Sequence, residues 1–183
     1  MKKLKTPIPL VLFLFLGCSG SIYFNTWFNL SRNYETSSDW LATYSNPELE
    51  KTTMPDTVKI ALDKVTKKGI KILEKWPEDP DYKPEVFAFS GLAHCALGKY
   101  KKGIKLFDLF EKDFPKHDSL NFIEYQRALC YKNSGENGMA RYAFEEILIN
   151  ETHSYKEFSL FQLSQLGGEQ NSSNTIKLLK KLL

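Results

Sequence analysis

The sequence has no strong excess of charge of either sign. Its 183 residues include 25 lysines and arginines against 22 aspartates and glutamates, and three of the lysines, Lys2, Lys3 and Lys5, lie at the very start. Surfaces that bind nucleic acid need clustered and unbalanced basic side chains. The near balance of the remaining chain therefore argues against nucleic acid as a partner.

Catalytic and metal-binding motifs are absent as well. The chain has no G-x-S-x-G or H-E-x-x-H pattern, no phosphate-binding glycine loop and no C-x-x-C pair, and its histidines are scattered. Glu145 and Glu146 are adjacent, so on a helix they would not face each other. We therefore predict that the protein is not an enzyme and uses no metal, cofactor or small-molecule substrate.

Strand signals are also scarce, and apolar residues recur at helical spacing instead. One such stripe advances in steps of 3 and 4 residues, which places its members on a single helix face. A proline follows the stripe, as expected beyond a helix end. The stripe comprises Leu62, Val65, Gly69, Ile72 and Trp76, and the proline is Pro77.

The same kind of stripe returns further along the chain, at residues 100–114, 137–147 and 172–183. Each of these segments follows another helical segment and a turn that contains glycine, such as Gly98 or Gly135. Glycine enters the left-handed region without strain and so suits a helix end. We therefore predict antiparallel helix pairs that recur about every 32 to 38 residues, an interval typical of stacked helical arrays.

This arrangement resembles the tetratricopeptide repeat, in which an aromatic residue, Leu-Gly and Tyr mark the first helix, and Ala, Phe and Pro mark the second. The best copy, residues 84–115, keeps Phe87, Gly91 and Phe107 but has Ser90 and His94 at two other positions. The resemblance implies an all-α solenoid of antiparallel helix pairs over residues 56–183. It would contain about three to four repeats in a right-handed superhelix. An unrelated helical bundle is the alternative.

In the tetratricopeptide repeat family, the first helix of each pair lines a concave groove. The corresponding residues here mix apolar and polar character, which suits a helix or an extended peptide of a protein partner. The alternative is that the protein's own N-terminal helix fills the groove. The groove residues implied by the resemblance are Glu85, Ala88, Leu92, Cys95, Ala96, Phe122, Tyr125, Leu129, Lys132 and Asn133.

The N-terminal segment has the layout of a secretory signal, because lysines precede an apolar run at residues 8–16 that is too short to span a bilayer as a helix. The run ends at Gly17 and Cys18, and the segment LFLGC resembles the lipobox of bacterial lipoproteins. This resemblance implies a signal peptide at residues 1–17 and lipidation of Cys18. An ordinary signal or an uncleaved anchor is the alternative.

A lipid anchor at Cys18 would hold the following N-terminal helix and linker, residues 18–55, at a membrane. By the sorting rule of enterobacterial lipoproteins, Ser19 in place of Asp indicates the outer membrane. The periplasm would permit a disulfide between Cys95 and Cys130. We expect these two cysteines instead to be small, buried apolar side chains.

The order of lipobox, aromatic helix and helical repeats resembles the BamD-like lipoproteins of outer-membrane protein assembly. We therefore predict a membrane-tethered scaffold lipoprotein of the bacterial outer membrane that binds protein partners in the periplasm. A narrower alternative is an accessory role in outer-membrane protein assembly. An alternative of another class is a small periplasmic enzyme that uses His94.

Overall fold

The computed structural model describes residues 8–46, 52–77 and 82–166, with side chains from residue 24 onward. This part of the chain forms seven α-helices and no β-strand, which confirms the all-α prediction. The predicted helix at residues 172–183 lies outside the described residues. The helices are α1 (Ile8–Ser45), α2 (Asp56–Lys75), α3 (Lys83–Ala96), α4 (Tyr100–Asp113), α5 (Leu120–Asn133), α6 (Asn137–Ile149) and α7 (Lys156–Gln165).

Two glycine turns fold four of the helices into hairpins. Gly98 and Gly135 have φ angles of 72° and 83°, which are in the left-handed region. After each glycine, a backbone N–H donates to the carbonyl five residues earlier, over 2.8 Å from Lys99 to His94 and over 3.0 Å from Glu136 to Tyr131. This geometry satisfies the last carbonyls of a helix and reverses the chain. The pairs α3–α4 and α5–α6 are therefore compact helical hairpins.

The helices pack in sequence order, each one against the next, and α3 also touches both α1 and α5. Three apolar clusters fill the spaces between neighbouring helices. The core is therefore a chain of adjoining clusters along the array. The largest buried side chains are Leu30 and Leu62 in the first cluster, Phe107, Phe110 and Ile123 in the second, and Tyr125, Phe144 and Leu163 in the third.

The predicted apolar stripes face this core. In α2 the stripe is buried from Leu62 to Ile72, and in α4 Phe107 is completely buried. Phe107 packs on Gly91 of α3, where an added Cβ would lie only 2.5 Å from the ring. Glycine is therefore required for α3 and α4 to approach this closely.

The two cysteines of the helical region are joined, contrary to the favoured expectation. Cys95 of α3 and Cys130 of α5 form a disulfide, with their Cα atoms 5.7 Å apart. The expectation of two unpaired thiols is therefore wrong. The residues are 35 positions apart, close to the repeat interval. They lie on two helices that touch, and this contact brings their side chains together.

The N-terminal helix continues through the predicted cleavage site. Helix α1 runs without a break from Ile8 past Cys18 to Ser45, and α2 begins at Asp56, where the repeat domain is predicted to begin. The Cys18 side chain lies outside the described residues, so its lipidation stays a prediction. Among the described helices, none combines the length and the apolar character that crossing a membrane requires.

Candidate functional site

Half of the residues predicted to line the groove are packed inside the protein. Five of the ten, Ala88, Leu92, Cys95, Tyr125 and Leu129, are buried in the apolar clusters. The other five, Glu85, Ala96, Phe122, Lys132 and Asn133, are partly exposed. The surface on α3 and α5 that a partner could reach is therefore much smaller than the resemblance implies.

The C-terminal end of α1 lies against α5 and covers part of the predicted groove. The Tyr125 hydroxyl donates to the Ser45 carbonyl over 3.3 Å, and the Asn133 amide donates to the Tyr44 hydroxyl over 2.6 Å. Burial raises the pKa of Tyr44 and of Tyr125 to about 12, so both hydroxyls keep their protons at neutral pH. Where the end of α1 lies on α5, the N-terminal helix fills the groove, as the alternative prediction states.

Aromatic stacking closes the junction between α1 and α3. The rings of Tyr34 and Phe89 are nearly parallel, with centroids 3.8 Å apart. Trp27 lies 4.7 Å from Tyr82 and 6.1 Å from Phe89, again measured between ring centroids. Stacked rings of this kind contribute about 0.5–1.5 kcal/mol per pair beyond the area they bury. The α1–α3 junction is therefore filled by the protein itself.

An open cavity remains between α1, α5 and α7. Its volume is about 170 Å³, and aromatic rings form much of its wall. Tyr125 and Tyr155 stack with centroids 5.0 Å apart, and Phe122 lies 6.0 Å from Tyr155. We call this the aromatic cavity. Its lining residues are Ala42, Ser45, Asn46, Phe122, Tyr125, Gln126, Tyr155 and Phe158.

Gln126 lies in the wall of the aromatic cavity and has a buried polar group without a partner. Its side chain is only 4% exposed, and its amide oxygen accepts a hydrogen bond from the Ser45 hydroxyl over 3.1 Å. Its amide nitrogen is buried without a partner. An unpaired buried donor costs about 1–3 kcal/mol, which a ligand oxygen would recover.

A second cavity, of about 200 Å³, lies on another side of α5 and is polar. Within it, the buried His153 accepts the Tyr155 N–H at Nδ1 over 3.1 Å, and its Nε2 lies 3.1 Å from Glu124. Burial lowers the pKa of His153 more than Glu124 raises it, so the ring is neutral and donates to the carboxylate. Both ring nitrogens are thus occupied within the protein. This histidine fixes the α6–α7 turn to α5.

Arg127 lines this cavity and pairs with two acidic residues of α4. Its guanidinium lies 3.1 Å from Asp108 and 2.9 Å from Glu111, although its Nε–H does not point directly at the Glu111 oxygen. Burial raises the pKa of Glu111 to about 7 in spite of the arginine. The charged groups face one another, so the cluster joins helices and presents no free reacting group.

His94, the residue on which an enzymatic alternative depends, is packed in the core. It is 3% exposed, and its Nδ1 lies 2.7 Å from the Ser90 carbonyl. Burial lowers its pKa, so the ring is neutral. Substrate would have no route to such a buried ring without movement of α3. Within the described ranges, no group of three or more His, Cys, Asp or Glu side chains could hold a metal ion.

The aromatic cavity contains several residues that we did not predict from the sequence. Gln126, Tyr155 and Phe158 lie outside the predicted set, and Lys132 of that set donates instead to Gln162 of α7. Phe89, Phe122 and Tyr155 are evenly spaced along the chain, but this interval is shorter than the one between Gly98 and Gly135 and does not mark equivalent positions. No sequence signal marks Gln126.

Comparison with protein-family models, with curated proteins and with solved structures finds no match to this chain. The likeness to tetratricopeptide repeats and to BamD-like lipoproteins therefore rests on the sequence pattern alone and stays a prediction.

Proposed function

We propose that the protein is a membrane-tethered scaffold of stacked helix pairs, which binds a segment of a protein partner at the aromatic cavity. The contacts of α3 with both α1 and α5 support a solenoid, because first helices of successive pairs touch in such arrays. The equivalent glycine turns after α3 and α5 support it as well. On this basis the array has three to four repeats in a right-handed superhelix.

The unpaired amide of Gln126 in the aromatic cavity carries this proposal. The cavity, at about 170 Å³, is smaller than the 300–1,000 Å³ or so of typical small-molecule pockets. It fits one side chain of a larger partner. Aromatic walls favour an apolar or aromatic side chain, and the Gln126 amide favours a neighbouring backbone carbonyl. A peptide segment supplies both groups.

The disulfide supports a location in the bacterial cell envelope. Disulfides persist in oxidising compartments such as the periplasm and are rare in the cytosol. Cys95 and Cys130 are joined, and the N-terminal sequence resembles a lipoprotein signal. Cys18 would then carry the lipid anchor, and Ser19 would direct the protein to the outer membrane.

Site-specific photocrosslinking in intact membranes tests the binding site. We expect benzoylphenylalanine in place of Phe122 to crosslink a discrete protein partner. Gln126→Leu, which keeps the volume and removes the amide, should reduce the crosslink at least tenfold. Benzoylphenylalanine in place of Tyr142, which is 61% exposed on α6, is the matched control. Equal yields at the two positions, or no effect of Gln126→Leu, would reject the aromatic cavity as the site.

Fractionation tests the tether separately. We expect Cys18→Ala to prevent the incorporation of labelled fatty acid and to move the protein out of the membrane fraction. If the Cys18→Ala variant is still processed, labelled and retained like the wild type, the lipoprotein assignment is wrong. The cavity proposal does not depend on this result.

A further inference from the structure

Two exposed phenylalanines form an apolar patch on α1. Phe24 is 60% exposed and Phe28 is 52% exposed, and their rings stack one helical turn apart with centroids separated by 6.4 Å. Arg32 is exposed one turn further along the same stripe, and no ion pair joins it to any described residue. We call these three residues the α1 stripe.

The α1 stripe is close to the proposed lipid anchor. Helix α1 is continuous from Ile8, so Phe24 and Phe28 follow Cys18 on the same helix. At 1.5 Å per residue, they lie about 9 and 15 Å from it along the helix axis. A helix standing upright on the bilayer would lift Phe28 out of the headgroup layer, which is roughly 5–8 Å deep. A helix lying along the surface would bring both rings into that layer.

Basic side chains lie at the neighbouring end of α2. The Leu30 side chain of α1 is 3.7 Å from the position of a Cβ on Gly69, so this part of α1 runs beside the C-terminal half of α2. That half carries Lys71 and Lys75, which are exposed and form no ion pair with a described residue. The exposed rings of α1 and the exposed lysines of α2, with Glu74 between them, therefore lie towards the same end of the α1–α2 pair, the end nearest to Cys18.

We propose that the α1 stripe docks on the lipid bilayer that anchors Cys18, with α1 lying along the membrane surface. Phe24 and Phe28 enter the boundary between headgroups and acyl chains, a depth that helices lying in the interface reach with their apolar faces. Arg32, Lys71 and Lys75 contact anionic headgroups. This inference rests on the proposed tether, and it adds an orientation in which the α1–α2 edge of the protein faces the membrane.

Fluorescence quenching by brominated lipids tests the docking. The mature lipoprotein is purified from membranes and placed in phosphatidylcholine–phosphatidylglycerol vesicles whose acyl chains carry bromine close to the headgroups. We expect the emission added by Phe28→Trp to fall at least twofold in these vesicles compared with unbrominated ones. Tyr142→Trp, at an exposed side chain of α6, is the control and its added emission should not change. The native tryptophans give the same background in both variants.

The outcomes separate docking from tethering. If Phe28→Trp remains with the vesicles and is not quenched, the docking is wrong and the tether stands. If the lipoprotein does not sediment with vesicles at all, both the tether and the docking are wrong. Lys71→Glu with Lys75→Glu should weaken the quenching of Phe28→Trp in anionic vesicles and leave it unchanged in neutral ones. Lys101→Glu with Lys105→Glu, an exposed pair of the same spacing on α4, should have no effect.

Discussion

The junction between α1 and α3 and the junction between α5 and α7 are both rich in aromatic rings, but the first is filled and the second is open. Phe89, at the first junction, is covered by Tyr34 and Trp27 of α1. Phe122 and Tyr155, which follow Phe89 at equal intervals along the chain, border an open cavity. At that cavity α1 supplies only Ala42 and the residues of its own end. An aromatic ring on the array is thus core where α1 provides a large ring to cover it, and accessible surface where α1 does not.

The junction between α3 and α5 is a third case, because the disulfide joins it covalently. Buried apolar side chains surround Cys95 and Cys130 and leave the bridge little exposed. Of the three junctions, the one between α5 and α7 is neither filled by α1 nor closed by a covalent bond. We therefore expect a partner to bind there.

Removal of a ring from the closed part of the molecule should have the largest effect. We expect Phe107→Ala to lower the free energy of unfolding by about 3–5 kcal/mol, because the ring is fully buried against Gly91. Phe161→Ala, at a side chain of α7 that is 44% exposed, is the matched control and should cost less than about 1 kcal/mol. Urea denaturation measures both. Similar costs for the two variants would mean that α3–α4 is not the more tightly packed part.

Loss of the covalent link should have the next largest effect. We expect Cys95→Ala with Cys130→Ala to lower the free energy of unfolding by about 2–4 kcal/mol, because the disulfide restricts the unfolded chain over a 35-residue interval. The wild type unfolded in the presence of a reductant should lose a similar amount. An unfolding curve that does not respond to reductant would show that the α3–α5 junction does not depend on the bond.

The filled and open junctions can be compared directly with two smaller changes. Tyr34→Ala removes the ring that covers Phe89, and we expect it to cost about 2–3 kcal/mol. Phe122→Ala removes a ring that already borders open space, and it should cost less than half as much. Thermal unfolding of both variants at one pH measures the difference. A larger cost for Phe122→Ala would reverse the assignment of filled and open junctions.

Local sequence pattern was sufficient for much of the fold. Steps of 3 and 4 residues predicted the buried face of α2 and of α4, and Gly98 and Gly135 predicted the two tight turns. These features depend on neighbouring residues, so the sequence contains them directly. The groove was predicted less well, since burial of Leu92 and Tyr125 depends on helices that are distant in sequence.

The sequence by itself determined the helices, their ends and the faces they bury, because periodicity and glycine act within a few residues. Only the tertiary structure decided that Cys95 meets Cys130, that Ser45 and Tyr44 reach α5, and that Gln126 keeps an unpaired amide beside a cavity. The disulfide depends on the contact of α3 with α5, and the other outcomes depend on the path of α1 across α3 and α5. That path follows from the packing of large rings such as Tyr34 on Phe89, which no local pattern specifies.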